Sequence, residues 1–245
     1  MLHRVTVRHL AAIVPVVAIG FAAACGGSDA SKPDETAFVR VVNASVSSGP
    51  ITVNNEGRVV QANVAFQTSA LSGSCGTVEK GGDEQIQFVA SGTSNQLGTL
   101  QYNFVAQQNY TAVFYGTNTA TVFIDQFSTP SAGNNAIRFI NATGTAGDVY
   151  LTTPSANITG SPSVGNLAAG AASGTSSSAL GGTFAQYANN LTRVRLFNVG
   201  QQTGTPRADF TINVMPSNGV ATVLLTSPPS GSSSPTAFMV GPCGS

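Results

Sequence analysis

The second half of this chain echoes the first, strand-like run by strand-like run. "VRVVNAS" at 39–45 returns as "IRFINAT" at 137–143, and "VAFQTSA" at 64–70 as the looser "LAAGAAS" at 167–173. "IQFVASG" at 86–92 returns as "VRLFNVG" at 194–200, and "LQYNFV" at 100–105 as "DFTINV" at 209–214. "YTAVFYG" at 110–116 and "TATVFID" at 119–125 are matched by "VATVLLT" at 220–226 and "PTAFMVG" at 235–241. Six matches in unbroken order mean two copies of one module, and any fold proposed for one copy must serve the other.

The runs are strand-like. Leu100, Tyr102 and Phe104 alternate with Gln101 and Asn103, and Phe210, Ile212 and Val214 alternate with Thr211 and Asn213. A period of two puts one face on a core and the other in water. Val, Ile, Phe, Tyr and Thr dominate, as strands prefer. Turn signals separate the runs: "NNEG" at 54–57 and "SNG" at 217–219, both read as hairpins. The expected fold is all-β, two tandem antiparallel Ig-like sandwiches over 37–130 and 134–245, joined through "STPSAGNNA" at 128–136. The uncharged "AAGAASGTSSSALGGT" at 168–183 reads as a long loop.

The N-terminus is a different kind of segment. Arg4 and Arg8 precede a charge-free stretch from Leu10 to Ala24, interrupted by Pro15. That stretch is short of the roughly 20 apolar residues a bilayer span needs, and it ends in small residues as a secretory signal does. An uncleaved anchor helix is the alternative. The string Ala22-Ala23-Ala24-Cys25 resembles the lipobox of bacterial lipoproteins, with Ala22 where that family usually carries Leu. The resemblance implies a signal peptide over 1–24, lipid on the Cys25 sulfur, and membrane attachment through it. Residues 25–36, "CGGSDASKPDET", then serve as a flexible tether, too polar to build a core. Gly26 after the Cys is compatible with the outer membrane or the cell surface. An ordinary secretory cut, leaving Cys25 a free thiol, is the other reading.

Removing residues 1–24 takes Arg4, Arg8, His3 and His9 with it, leaving eight basic residues against ten acidic and no histidine. The absence of a basic footprint argues against nucleic acid. The absence of histidine excludes Ser-His-Asp and Cys-His nucleophiles and His-ligated metal sites. Lys80 is then the only base near Ser72, Ser74 and Cys75 in "SGSCG", which reads better as a turn carrying a structural cysteine. Glu79, Asp83 and Glu84 cluster in "VEKGGDEQ" without a regular ligand spacing. They read as a solvated hairpin tip, with paired-acid hydrolysis or Ca²⁺ as the sharper alternatives. No catalytic residue, metal or cofactor is expected.

With Cys25 assigned to lipid, Cys75 and Cys243 form an even pair in an oxidising compartment and are expected to bridge. Without tryptophan, a sugar platform would have to come from tyrosine, and Tyr150 and Tyr187 are the better candidates for exposure. Arg40 and Arg138 occupy equivalent places in the two copies, as do Asn43 and Asn141. The Asn residues are expected to close Asx turns. The Arg residues are expected on the wet face, guarding an edge.

"VRVVNAS" followed by "ITVNNEGRVV" resembles the opening of the bacterial "domain of unknown function 4397" proteins, whose modules begin V-R-V-x-x-A-S/T and continue into a short hairpin. The resemblance extends over most of residues 37–243, although the second copy has the less regular "VYLTTPSANITG". It implies a secreted or surface β-sandwich, often lipid-anchored, and brings no catalytic residues. The expected function is a non-enzymatic, lipid-anchored envelope protein acting as a binding or structural module. The alternative is a carbohydrate- or polymer-binding surface protein. Its protein or glycan partner is not legible.

Overall fold

The computed structural model describes residues 35–68, 75–174, 182–212, 218–229 and 231–243. The signal segment, Cys25 and the tether to Asp34 lie outside the described residues.

Every regular element described is a strand. The first copy runs β1 (Thr36–Asn43), β2 (Ile51–Asn55), β3 (Arg58–Val64), β4 (Gly76–Glu79), β5 (Gly81–Ala90), β6 (Gln96–Phe104), β7 (Asn109–Tyr115) and β8 (Thr119–Ile124). The second runs β9 (Asn134–Ala142), β10 (Gly147–Thr152), β11 (Val164–Leu167), β12 (Ala185–Ala188), β13 (Arg193–Phe197), β14 (Ala208–Thr211), β15 (Val220–Thr226) and β16 (Thr236–Val240). The sheets are β4-β1-β7-β8 with β3-β2-β5-β6, and β12-β9-β15-β16 with β11-β10-β13-β14. Each strand of one copy thus has its counterpart in the other. Between the named strands of each copy the pairing is antiparallel except at one place, where β1 lies parallel to β7 and β9 parallel to β15.

The six echoed strings fall in order on corresponding strands. Three are one residue out of register. Arg40 lies opposite Thr111, and Arg138 opposite Thr222. Thr111 therefore corresponds to Thr222, not to Ala221. By the same ladders Phe123 corresponds to Val240, and Thr99 to Asp209. String similarity matches apolar letters wherever they stand, whereas the pleat matches only residues on one face.

Two of the four sheets are buried on both sides. Val39, Val41, Ala112 and Phe114 turn toward Ile51, Val53, Ile86 and Phe88 and close the first sandwich. Phe139, Val223 and Leu225 close the second against Val149, Val194 and Leu196. The intervening residues face the other way. Val42, Ala44, Val113 and Phe123 of the first copy meet Ile140, Ala142, Leu224, Phe238 and Val240 of the second in a third core cluster. The two sandwiches are stacked sheet on sheet, in four layers. Burying one Leu, Val or Phe is worth about 1.5–3 kcal/mol, so this third cluster is a core in its own right. Near-continuous apolar runs are what strands covered on both faces require.

The turns divide. Glu56 and Gly57 both have positive φ (47° and 81°) and join β2 to β3 in a two-residue hairpin, as "NNEG" predicts. "SNG" is no hairpin, because β14 pairs with β13 while β15 pairs with β9 and β16. The two strands belong to different sheets, and residues 213–217 between them lie outside the described residues. Nor is "VEKGGDEQ" a hairpin tip: β4 belongs to the sheet of β1, and β5 to the sheet of β2. Of the 168–183 segment, the ends pack rather than loop freely. Ala172 bridges to Ile140, the Phe139 amide donates to Ser173 Oγ (3.0 Å), and Gly182 is buried. Residues 175–181 lie outside the described residues.

Candidate functional site

Three places hold the chemistry that the sequence singles out: the seam between the sandwiches, its covalent closure, and the two outer faces.

Arg138 lies in the seam. Its side chain and that of Asp125 are both fully buried, with Nη2 2.6 Å from Asp125 Oδ1. Nη1 donates to the Ile124 carbonyl (3.0 Å), and Nη2 and Nε donate to Thr222 Oγ1 (2.9 and 3.2 Å). Thr111 Oγ1 donates to the Asp125 carboxylate (2.9 Å). The rings of Phe184 and Phe123 lie over the guanidinium at 4.5 and 5.7 Å. Gly182 comes so near that a Cβ would stand 2.8 Å from Arg138 Cδ and 2.4 Å from Ala172. Burial pulls the guanidinium pKa down and the Asp125 charge pulls it up. An arginine starts high enough to stay charged. The wet-face expectation for Arg138 is therefore overturned. β9 is a central strand with a second sandwich against its back, and there is no water for the ion to reach.

Arg40 is also buried, at 6% exposure, and corrects the same expectation. Its Nη2 donates to the Pro242 carbonyl at 3.3 Å. Pro242 stands two residues past Val240, as Asp125 stands two past Phe123, so the two arginines reach equivalent points on opposite modules. Arg138 finds a carboxylate at that point and Arg40 a backbone carbonyl, with the Asp125 charge also acting on Arg40 against the larger effect of its burial. Next to Pro242, Cys243 stands at disulfide distance from Cys75, with Sγ–Sγ 2.07 Å and Cα–Cα 5.9 Å. The end of the second module is thus fastened to the first.

The two asparagines repeat one device. Asn43 Oδ1 accepts from the Ser45 amide (3.0 Å), and Asn141 Oδ1 from the Thr143 amide (3.0 Å), each an Asx turn. Their Nδ2 groups also tie down the neighbouring connections. Asn43 donates to the Gly49 and Val64 carbonyls, and Asn141 to the Thr145 and Leu167 carbonyls.

The outer faces have diverged. On the first sandwich Asn54, Gln87 and Thr99 lie side by side across three strands, and Gln85 lies opposite Gln101. With Thr52 and Asn103 they make a neutral, amide-rich face of half-buried and exposed side chains. The corresponding positions of the second sandwich carry Asp148, Tyr150, Arg193, Arg195 and Asp209. That face is covered by its own β10–β11 connection. Arg193 Nη1 donates to the Pro154 carbonyl and Arg195 Nη2 to the Ala156 carbonyl, both at 2.8 Å. Arg193 also pairs with Asp209 and holds its carboxyl below the usual range. Tyr150, expected to be exposed, is 3% exposed against Phe197, and Tyr187 is half-buried against Phe139.

Of the Glu79, Asp83 and Glu84 cluster, the Asp83 side chain lies outside those described, and Glu79 and Glu84 find separate partners. Glu79 pairs with Arg58 (2.6 Å), and Glu84 Oε2 accepts from Asn55 Nδ2 (3.1 Å). Lys80 faces Glu35 at 3.7 Å, exposed. A shallow groove of about 110 Å³ beside the Arg58–Glu79 pair is lined by Thr36, Asn55, Val59, Thr77 and Val78 as well. Among the described residues no three His, Cys, Asp or Glu side chains gather to hold a metal. Cys25 lies outside them.

Residues 37–152 match the family model described as "Domain of unknown function (DUF4397)". The matched stretch takes in all of the first sandwich and continues through β10 of the second. No curated protein sequence matches. Among solved structures, CBMbc (family CBM26) from Eubacterium rectale Amy13K, in complex with maltoheptaose, is 14% identical. The alignment covers 83% of this chain and 96% of that one, at a TM-score of 0.25, too low for a shared fold.

Proposed function

We propose that this is a non-enzymatic cell-envelope protein, held to the membrane through lipid on Cys25, whose paired sandwiches act as a rigid binding or structural module. The stacked seam carries this reading. A buried ion pair, a third apolar cluster and a Cys75–Cys243 bridge leave no hinge between the modules. Such a body holds a surface at a fixed distance from its tether. Support comes also from the acids Glu79, Asp125, Asp209 and Glu84, which are engaged singly with Arg58, Arg138, Arg193 and Asn55 rather than paired as acid and base. The test is fractionation of cells carrying Cys25→Ala. The variant is expected in the soluble fraction, and a variant that stays with membranes after a salt wash sinks the anchor. Protease shaving of intact and lysed cells then separates surface display from a periplasmic site.

A second reading, a binder of neutral carbohydrate or polymer, rests on the open amide face of the first sandwich. Side-chain amides both donate and accept, and suit hydroxyl-rich neutral chains. Co-sedimentation with insoluble neutral polysaccharides, lost in Gln85→Lys/Gln101→Lys, would support it. Equal sedimentation of the two would not.

A further inference from the structure

Each of the four sheets ends in two edge strands, and the longest of these eight is β6, at nine residues. An edge strand offers a row of backbone groups to any other strand, and proteins ordinarily blunt it with charge, proline or shortness. β6, "QLGTLQYNF", has neither charge nor proline. Its counterpart β14 is blunted by shortness and charge: it is four residues long, carries Asp209, and lies beside Arg193. β3, the other edge of the same sheet, begins with Arg58 and pairs through two irregularities. Among the described residues β6 pairs only with β5, and its regular stretch runs from Gly98 to Tyr102.

We infer that β6 is a homotypic interface: two copies of this chain join edge to edge, antiparallel, about a two-fold axis at Leu100. The side chains identify a second copy as the occupant. An antiparallel two-fold at Leu100 brings Thr99 of one chain opposite Gln101 of the other, twice. Both side chains are exposed on the outer face. A hydroxyl and an amide each donate and accept, so this pair is complementary to itself in a way that a charged row could not be. The joined sheet would have eight strands, with the two amide faces running on continuously.

The mass of the purified full-length chain, measured in mild detergent by light scattering with the detergent contribution subtracted, tests this. The wild type is expected at twice the chain mass. Thr99→Lys/Gln101→Lys sets like charges against each other across the axis and is expected to halve the mass without moving the melting temperature. Thr99→Lys/Gln101→Glu pairs opposite charges across the same axis and is expected to restore the doubled mass. If the double-lysine variant does not fold, Thr99→Glu/Gln101→Glu sets like charges across the same axis in its place, and Thr99→Lys/Gln101→Glu remains the rescue. A wild type of single mass overturns the interface, as does a doubled mass that survives the lysines. Disruption without rescue overturns the register.

Discussion

Arg138 of the second sandwich and Asp125 of the first meet at 2.6 Å with neither side chain touching water. Removing one partner of a buried pair strands the other charge, at a cost of about 3–5 kcal/mol. Asp125→Ala should lose stability on that scale in urea unfolding. The double variant Arg138→Met/Asp125→Leu should lose markedly less, because neither member of the pair is left behind and Arg40, which also feels the Asp125 charge, keeps the Pro242 carbonyl. A loss below about 1 kcal/mol in Asp125→Ala would mean that the seam does not depend on the pair.

The asparagine device predicts symmetry. Asn43→Ala and Asn141→Ala each remove one acceptor and one amide that serves two carbonyls. Leaving buried backbone groups unpaired costs about 1–3 kcal/mol each. The two variants should therefore be destabilised alike, by at least that much. Strongly unequal losses would show that the modules use their asparagines differently.

Much of the fold is legible in the sequence, and what is missing is missing for a physical reason. Period-two alternation is plain in Leu100–Phe104 because β6 has one wet face. The same expectation, applied to Arg40 and Arg138, puts both on a wet face that does not exist. The clue is present: Val41–Val42, Ala112–Phe114, Phe139–Ile140 and Val223–Leu225 are apolar without alternation, which is the mark of strands covered on both sides. "SNG" and "VEKGGDEQ" read as hairpins because turn chemistry is local, whereas which sheet the next strand joins is not. Tyr150 is buried by a connection eleven residues long, Thr153–Ser163, whose docking on Arg193 and Arg195 no local pattern announces. The cysteine pairing is legible only once the lipobox resemblance sets Cys25 aside and leaves an even pair.

Protein purified without reductant should contain no reactive thiol at Cys75 or Cys243 until it is reduced. In the chain-entropy picture a bridge across 168 positions is worth about 5 kcal/mol. Cys75→Ser/Cys243→Ser should lower the melting temperature by several degrees or more. Labelling of either cysteine in unreduced protein would remove the bridge from the account.

Acid should act through Asp209. The Arg193 guanidinium lowers its carboxyl pKa, chiefly by hydrogen bonding, at 2.8 and 2.5 Å. A depressed folded-state pKa contributes stability that is fully present above the unfolded value of about 3.9 and is lost as pH falls through the folded value. Asp209→Asn should therefore be less stable than wild type at pH 7, and the difference should close below about pH 4. A difference that persists unchanged at pH 2–3 would place the effect in packing rather than charge.

The Cys75–Cys243 link also decides how the molecule answers a pull. Everything from β4 to β16 lies inside one covalent ring. Tension applied between Glu35 and the C-terminus would travel through β1, β2 and β3 to Cys75 and leave across the sulfur atoms. The whole second sandwich would hang slack beside that path. Only the stretch from 35 to 75 could pay out, to about 3.3–3.6 Å per residue, so under oxidising conditions the protein is a short leash and under reducing conditions a long one.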